Sequence, residues 1–188
     1  MVIETPQKKK KRLWTFEQLL AEVPESNQPT ELWDGELIMA PSPTPVHQAV
    51  VARLARALDD FAAQHDLGKV YFAPLDVIFT QRRVVQPDVI FVSNAKLAII
   101  QDRIRGTPDL IVDVVSPGTW RRDYIDKRAI YAQFGVSEYW IVDPEAGMIE
   151  VLFLEEGTFR LVDRFGRDQS LRSRLLVDFE IPVNDILG

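Results

Sequence analysis

Residues 13–188 read as one α/β (α+β) domain in which a parallel strand–helix–strand unit is accompanied by β-hairpins and a long amphipathic helix. Three observations predict it. An apolar run at 110–117, a helical pattern at 121–134 and a second apolar run at 136–144 follow one another, the layout of a right-handed parallel crossover. Asp34-Gly35 sits between apolar flanks over 31–39, where Asp-Gly favours a tight hairpin turn. Val46, Val50, Leu54, Leu58 and Phe61 recur at three and four residues, with Arg53, Arg56, Asp59 and Asp60 on the other side. At 188 residues and 46% hydrophobic, the chain is long enough for one substantial core.

Each element follows in order. Lys8-Lys9-Lys10-Lys11-Arg12 makes residues 1–12 a disordered basic tail, with a nucleic-acid-touching arm as the rival reading. Thr15-Phe16-Glu17-Gln18 has capping-box spacing and opens a short helix to about Glu22, closed by Pro24. The hairpin over 31–39 and the long helix follow; the helix carries His47 in its first turn and ends near Gly68. Residues 70–79, a polar break at 80–83 and residues 84–92 read as a second hairpin, irregular at Pro87, which cannot donate to a ladder. A short helix or loop spans 93–106. The crossover comes next, its helix stopped by Gly135. Strands at 148–154 and 159–165 flank Glu155-Glu156-Gly157, and 175–179 reads as a last strand before a terminal turn.

Composition excludes several classes of function. A net charge of −6 argues against general binding to phosphate backbones, although it leaves room for a local basic face. Zero cysteines exclude disulfides, a thiol nucleophile and thiolate metal sites, and fit a reducing compartment, with the cytoplasm as the expected location. No apolar run approaches the roughly 18 residues that span a bilayer, and the first residues lack a signal-peptide layout. His47 and His65 are the only histidines, so a His-rich zinc site is excluded. There is no Gly-rich phosphate loop, Gly-x-Ser-x-Gly elbow or internal repeat.

The unexplained feature is charge inside apolar strands. Asp113 stands in the middle of Leu110-Ile111-Val112-Asp113-Val114-Val115. Burying it costs several kcal/mol unless a cation, a metal or dense hydrogen bonding compensates. Asp88 repeats the oddity beside Pro87, and Asp76 is a third strand carboxylate that loop parity leaves on either face. Asp123, Lys127 and Tyr131 share a helical face, and a turn leaving the Asp113 strand for that helix brings Lys127 back toward Asp113. The bland reading is a buried ion-pair network; the functional one is a site.

Pro87-Asp88, Asp113 and Lys127 together resemble the PD-(D/E)xK nuclease pattern, with Val115 at the usual lysine position and the lysine supplied by the following helix. Glu31 to Gly35-Glu36, His47, Pro87-Asp88-Val89, the run 110–117, Asp123 with Lys127 and Tyr131, and the run 135–144 form an ordered set that resembles the Uma-two family of restriction-endonuclease-like proteins over about 15–143. That family more typically has Glu where this chain has Asp113.

The resemblance implies a restriction-endonuclease-like mixed central β-sheet flanked by helices, and a metal-dependent endonuclease acting on DNA. It implies that Asp88 and Asp113, with the Val114 carbonyl, hold the ion; oxygen-only ligands favour Mg²⁺ or Mn²⁺. Lys127 then orients water or stabilises phosphoryl charge, Glu36 or Glu31 holds the ion's outer waters, and His47 contacts the phosphate or serves as a secondary acid or base. Cutting both strands favours two active sites and so a homodimer. The alternative is a weak or inactive nuclease-fold protein that binds nucleic acid or protein.

Overall fold

The computed structural model describes residues 12–23, 30–116, 118 and 120–188, so the lysine run of the basic tail and Pro24 lie outside the described residues. Thr15 caps α1 (Phe16–Glu22) as a capping box: its hydroxyl accepts from the Gln18 N–H at 3.2 Å, and the Gln18 side chain accepts from the Thr15 N–H at 3.0 Å. β1 (Thr30–Trp33) and β2 (Glu36–Met39) form the expected hairpin. Asp34 and Gly35 take φ of 52° and 85° in its turn, the paired positive values that a type I′ turn needs. Thr44 caps α2 (Pro45–Gln64), which buries Val50, Leu54, Ala55, Leu58 and Ala62 along one stripe.

The second predicted hairpin is corrected. Residues 70–79 divide into β3 (Gly68–Phe72) and β4 (Val77–Thr80), and residues 84–92 into β5 (Arg83–Val85) and β6 (Val89–Ser93). β4 pairs with β5 in one sheet, whereas β3 pairs antiparallel with β6 in another. Pro74 and Pro87 lack the N–H that a continuous ladder requires, and the chain changes sheets at both places. Asp76 is absorbed structurally, accepting from Gln86 Nε2 at 2.7 Å and Arg103 Nε at 3.1 Å.

A 3₁₀ turn at Asn94–Ile99 leads to β7 (Ile104–Arg105) and then to β8 (Leu110–Val114). The crossover helix departs from the expected single α-helix: a π-helical stretch at Arg122–Lys127 precedes α3 (Arg128–Gln133). Such widened turns occur disproportionately at functional sites. β9 (Glu138–Asp143) pairs parallel with β8, and β10 (Met148–Glu155) and β11 (Thr158–Gly166) follow as a hairpin. β12 (Ser170–Arg172), β13 (Glu180–Pro182) and α4 (Val183–Leu187) complete the chain.

The predicted strand at 175–179 is a turn. Its backbone is drawn away from any ladder by the buried Glu138 carboxylate, which accepts from the Leu175 N–H at 2.6 Å, the Ser173 hydroxyl at 3.0 Å and the Trp140 indole N–H at 2.6 Å.

The strands form a five-stranded sheet in the order β2-β1-β5-β4-β7 and a six-stranded sheet in the order β11-β10-β9-β8-β6-β3, both of mixed direction. Alternate residues of the larger sheet face opposite ways. Phe91, Val112, Trp140 and Val142 pack with α2 and α4, while Ile90, Ile111, Tyr139 and Ile141 pack with Ile130 and Tyr131 of α3 and with Val77 and Val85 of the smaller sheet. No helix among the described residues is long and apolar enough to cross a membrane.

Candidate active site

The alternation of β8 sends Val112 and Val114 toward α2, and Asp113 toward the crossover helix. There Asp113, 1% exposed, accepts from Lys127 Nζ at 2.7 Å and from the Tyr131 hydroxyl at 3.0 Å, so each carboxylate oxygen has a donor. Lys127 Nζ also lies 3.7 Å from Asp123 and 3.8 Å from Glu31, both buried. One ammonium thus serves three carboxylates. Burial pushes the Asp113 carboxyl up to about 7; Lys127 opposes the rise, while the charges of Asp123 and Asp88 add to it. Burial works against the charged form of Lys127, yet Asp113, Glu31 and Asp123 outweigh it and hold the ammonium well above its ordinary value.

Asp88 stands at the entrance to β6, where Pro87 has freed the backbone from a ladder. It accepts from the Val114 N–H at 2.7 Å, and His47 Nε2 lies 3.3 Å from the same oxygen. Burial alone would lower the His47 pKa, but the bond and charge of Asp88, the Val114 backbone and Asp113 raise it overall. Glu31 crosses from the smaller sheet, accepting from the Gln86 N–H at 2.9 Å and the Trp33 indole at 2.9 Å. A cavity of about 260 Å³ opens here, walled among others by Glu31, His47, Asp88, Arg122, Asp123 and Lys127. It lies at the carboxyl end of β8, as ligand sites beside parallel strands commonly do.

The fold brings together Asp88, Asp113, Lys127, His47 and Val114 from the expected set, and of the two glutamates Glu31 lines the cavity while Glu36 does not. Asp113 sits behind Lys127 and off the cavity wall. Arg122 on the wall was not singled out by sequence, because a lone arginine in a helical pattern carries no signal beyond its position next to Asp123.

The donor set can be tested against a divalent cation. Glu31, Asp88, Asp113 and Asp123 outnumber Lys127, Arg122 and His47, and all four offer oxygen, although Asp113 already meets Lys127 and Tyr131 with its two. That surplus fits a hard ion. Among the described residues, no three acidic or histidine side chains stand as a ready-made cage. Mg²⁺ does not need one, since it keeps several waters and is held by one or two carboxylates plus substrate phosphate.

The sequence model of the Uma2 (Uma-two) family, described as "Putative restriction endonuclease", matches residues 15–184. The chain belongs to the Uma2 family. No functionally curated protein matches it. The crystal structure of "a putative nuclease belonging to DUF820" from Anabaena variabilis is similar at a TM-score of 0.76 and 15% identity, covering 92% of this chain and 97% of that one. The mixed sheets and flanking helices of this Uma2 protein therefore share the fold of that structure.

Proposed function

We propose that this Uma2 protein is a Mg²⁺- or Mn²⁺-dependent endonuclease acting on DNA, with Asp88, Asp113 and Lys127 at its centre. The observation that carries the reading is a buried lysine held by Asp113, Asp123 and Glu31 at a cavity that Asp88 also lines. Asp88 would hold the ion, with the Val114 carbonyl as a further donor and Glu31 on outer waters, while Asp113 would anchor Lys127 beside it. A divalent ion supplies Lewis acidity toward a phosphodiester. The chain's own residues do the rest. Lys127 has three ammonium protons, of which Asp113 takes one; the others are available to charge developing on phosphoryl oxygens. Tyr131 and Asp113 fix where that ammonium points. His47, whose Nε2 lies 3.3 Å from Asp88 on the cavity wall, contacts the phosphate or serves as a secondary acid or base.

A second reading, a nuclease fold used only for binding, is favoured by the depth of Asp113 and the donors on both of its oxygens. Plasmid incubated with Mg²⁺ or Mn²⁺, with and without chelator, separates the two. Cleavage is expected from the wild type, to be lost with chelator and in Asp88→Asn and Lys127→Ala proteins shown to be folded by circular dichroism. Cleavage that survives both substitutions sinks the assignment, and nucleic-acid binding without cleavage in either metal establishes the second reading.

A further inference from the structure

Resting on the nuclease reading, we infer that the cavity takes a single-stranded or locally unpaired nucleic acid, with the Trp120 indole stacking a base and the Arg122 guanidinium gripping a neighbouring phosphate. Three of the eleven large apolar side chains exposed among the described residues adjoin cavity-wall residues in sequence, Met39 beside Ala40, Val46 beside His47 and Phe72 beside Ala73, and a fourth, Trp120, stands three residues before the wall residue Asp123, about one helical turn away. Exposed apolar side chains, two of them aromatic, on the same segments that supply the wall of a charged pocket suit a ligand that offers flat apolar faces and charge together. Trp120 is 58% exposed at the head of the turn that carries Arg122, Asp123 and Lys127.

Arg122 is the one guanidinium on the described wall. Among the described residues it donates to the Met39 carbonyl at 3.3 Å, a long contact to a neutral acceptor, and its guanidinium lies 5.8 Å from the Trp33 ring. A phosphate is a far better partner.

Two further observations favour an unpaired strand over a duplex. Duplex binding draws its affinity from many phosphate contacts, which a chain of net charge −6 is poorly equipped to make; single-strand binding can draw on stacking instead. Lys127 is also only 7% exposed, so the reacting phosphate has to dip into a recess of about 260 Å³. A stiff duplex holds its phosphates on a convex surface, whereas a flexible strand can bend one inward. One active site then suffices, and the homodimer expected for double-strand cutting is not required.

The test is fluorescence anisotropy with a labelled DNA strand of about 16 nucleotides and with the duplex it forms with its complement. Ca²⁺ replaces Mg²⁺, and the probes are shown to be intact afterwards. The single strand should bind at least about tenfold more tightly than the duplex. Trp120→Ala should weaken single-strand binding about five- to hundredfold, the loss of one stacked base, and leave duplex binding unchanged. Trp120→Phe should recover most of that loss. Arg122→Ala should weaken both probes and flatten their salt dependence. Val177→Ala, exposed on the turn that Glu138 holds at the opposite end of the parallel strands, should change nothing.

Duplex binding as tight as single-strand binding, indifference to Trp120→Ala, or no binding of either probe overturns the inference. Single-strand preference without plasmid or single-strand cleavage in Mg²⁺ or Mn²⁺ would remove the endonuclease and keep the strand-binding site. Metal-dependent cleavage with duplex preference would do the reverse.

Discussion

Replacing Lys127 by Met keeps much of the side-chain length but removes the ammonium that Asp113 meets at 2.7 Å, Asp123 at 3.7 Å and Glu31 at 3.8 Å. Removing one partner of a buried ion pair costs about 3–5 kcal/mol, because the remaining charge stays buried without compensation. For a chain of this length that corresponds to a fall in melting temperature of about 6–20 °C. The loss should depend on pH, and its sign is fixed by Asp113. Burial pushes that carboxyl up to about 7, so the folded state holds a proton that the unfolded state releases at lower pH. Its contribution to stability is present below the unfolded value and lost as pH rises through about 7. Without Lys127 the carboxyl rises further, and the deficit should be largest above that window and smallest near about pH 4. Urea denaturation followed by tryptophan fluorescence, at about pH 8 and about pH 5, reads the midpoints at unchanged slope. A double Lys127→Met/Asp113→Asn protein should recover at least half of the loss at the higher pH, since both members of the closest pair are then neutral. An equal deficit at both pH values, or no recovery in the double variant, would refute this account of the cluster.

Three further outcomes are expected. Glu138→Ala strips acceptors from the Trp140 indole, the Ser173 hydroxyl and the Leu175 N–H, and should cost about 3 kcal/mol in urea melts, with Glu138→Gln between it and the wild type. Gly68→Ala would set a Cβ 2.1 Å from the Val92 carbonyl oxygen, so β3 cannot stay paired with β6; a normally folded Gly68→Ala protein by circular dichroism would contradict that packing. Thr44→Ala removes the side-chain cap on the His47 N–H and should cost about 1 kcal/mol by urea midpoint, whereas Thr44→Gly should cost only a few tenths.

What could be read from sequence was local. The Asp34-Gly35 turn, the capping box at Thr15 and the stripe of α2 depend on residues within one or two turns of each other; the first two form as expected, and the stripe does from Val50 to Leu58, while Val46 at its head is exposed. The crossover was legible for the same reason, since its strand, helix and strand are consecutive. Lys127 reaching Asp113 followed from the turn that leaves the Asp113 strand for the helix rather than from any long-range pairing. What failed was decided at a distance. Pro87 was recognised as an irregularity, yet nothing nearby says that the chain passes there into another sheet. The turn at 175–179 carries an apolar pattern, and Glu138, 37 residues before Leu175, overrides it. Glu31 and Glu36 flank the same tight turn and could not be told apart, because the choice rests on the Gln86 N–H that Glu31 reaches from another strand.

Lys127 has one mechanical consequence. Glu31 belongs to the smaller sheet, Asp113 to the larger, and Lys127 rides on the connection between β8 and β9, so a single ammonium rivets two sheets that share no strand. The neighbouring stitch is similar: Gln86 donates to Glu31 on one side of Pro87, and Asp88 accepts from Val114 on the other. A ligand that draws on Lys127 therefore acts on the seam between the sheets as well as on its own binding energy. Occupancy of the cavity should stiffen that seam, and slower amide exchange along β1 and β8 would report it from both sides at once.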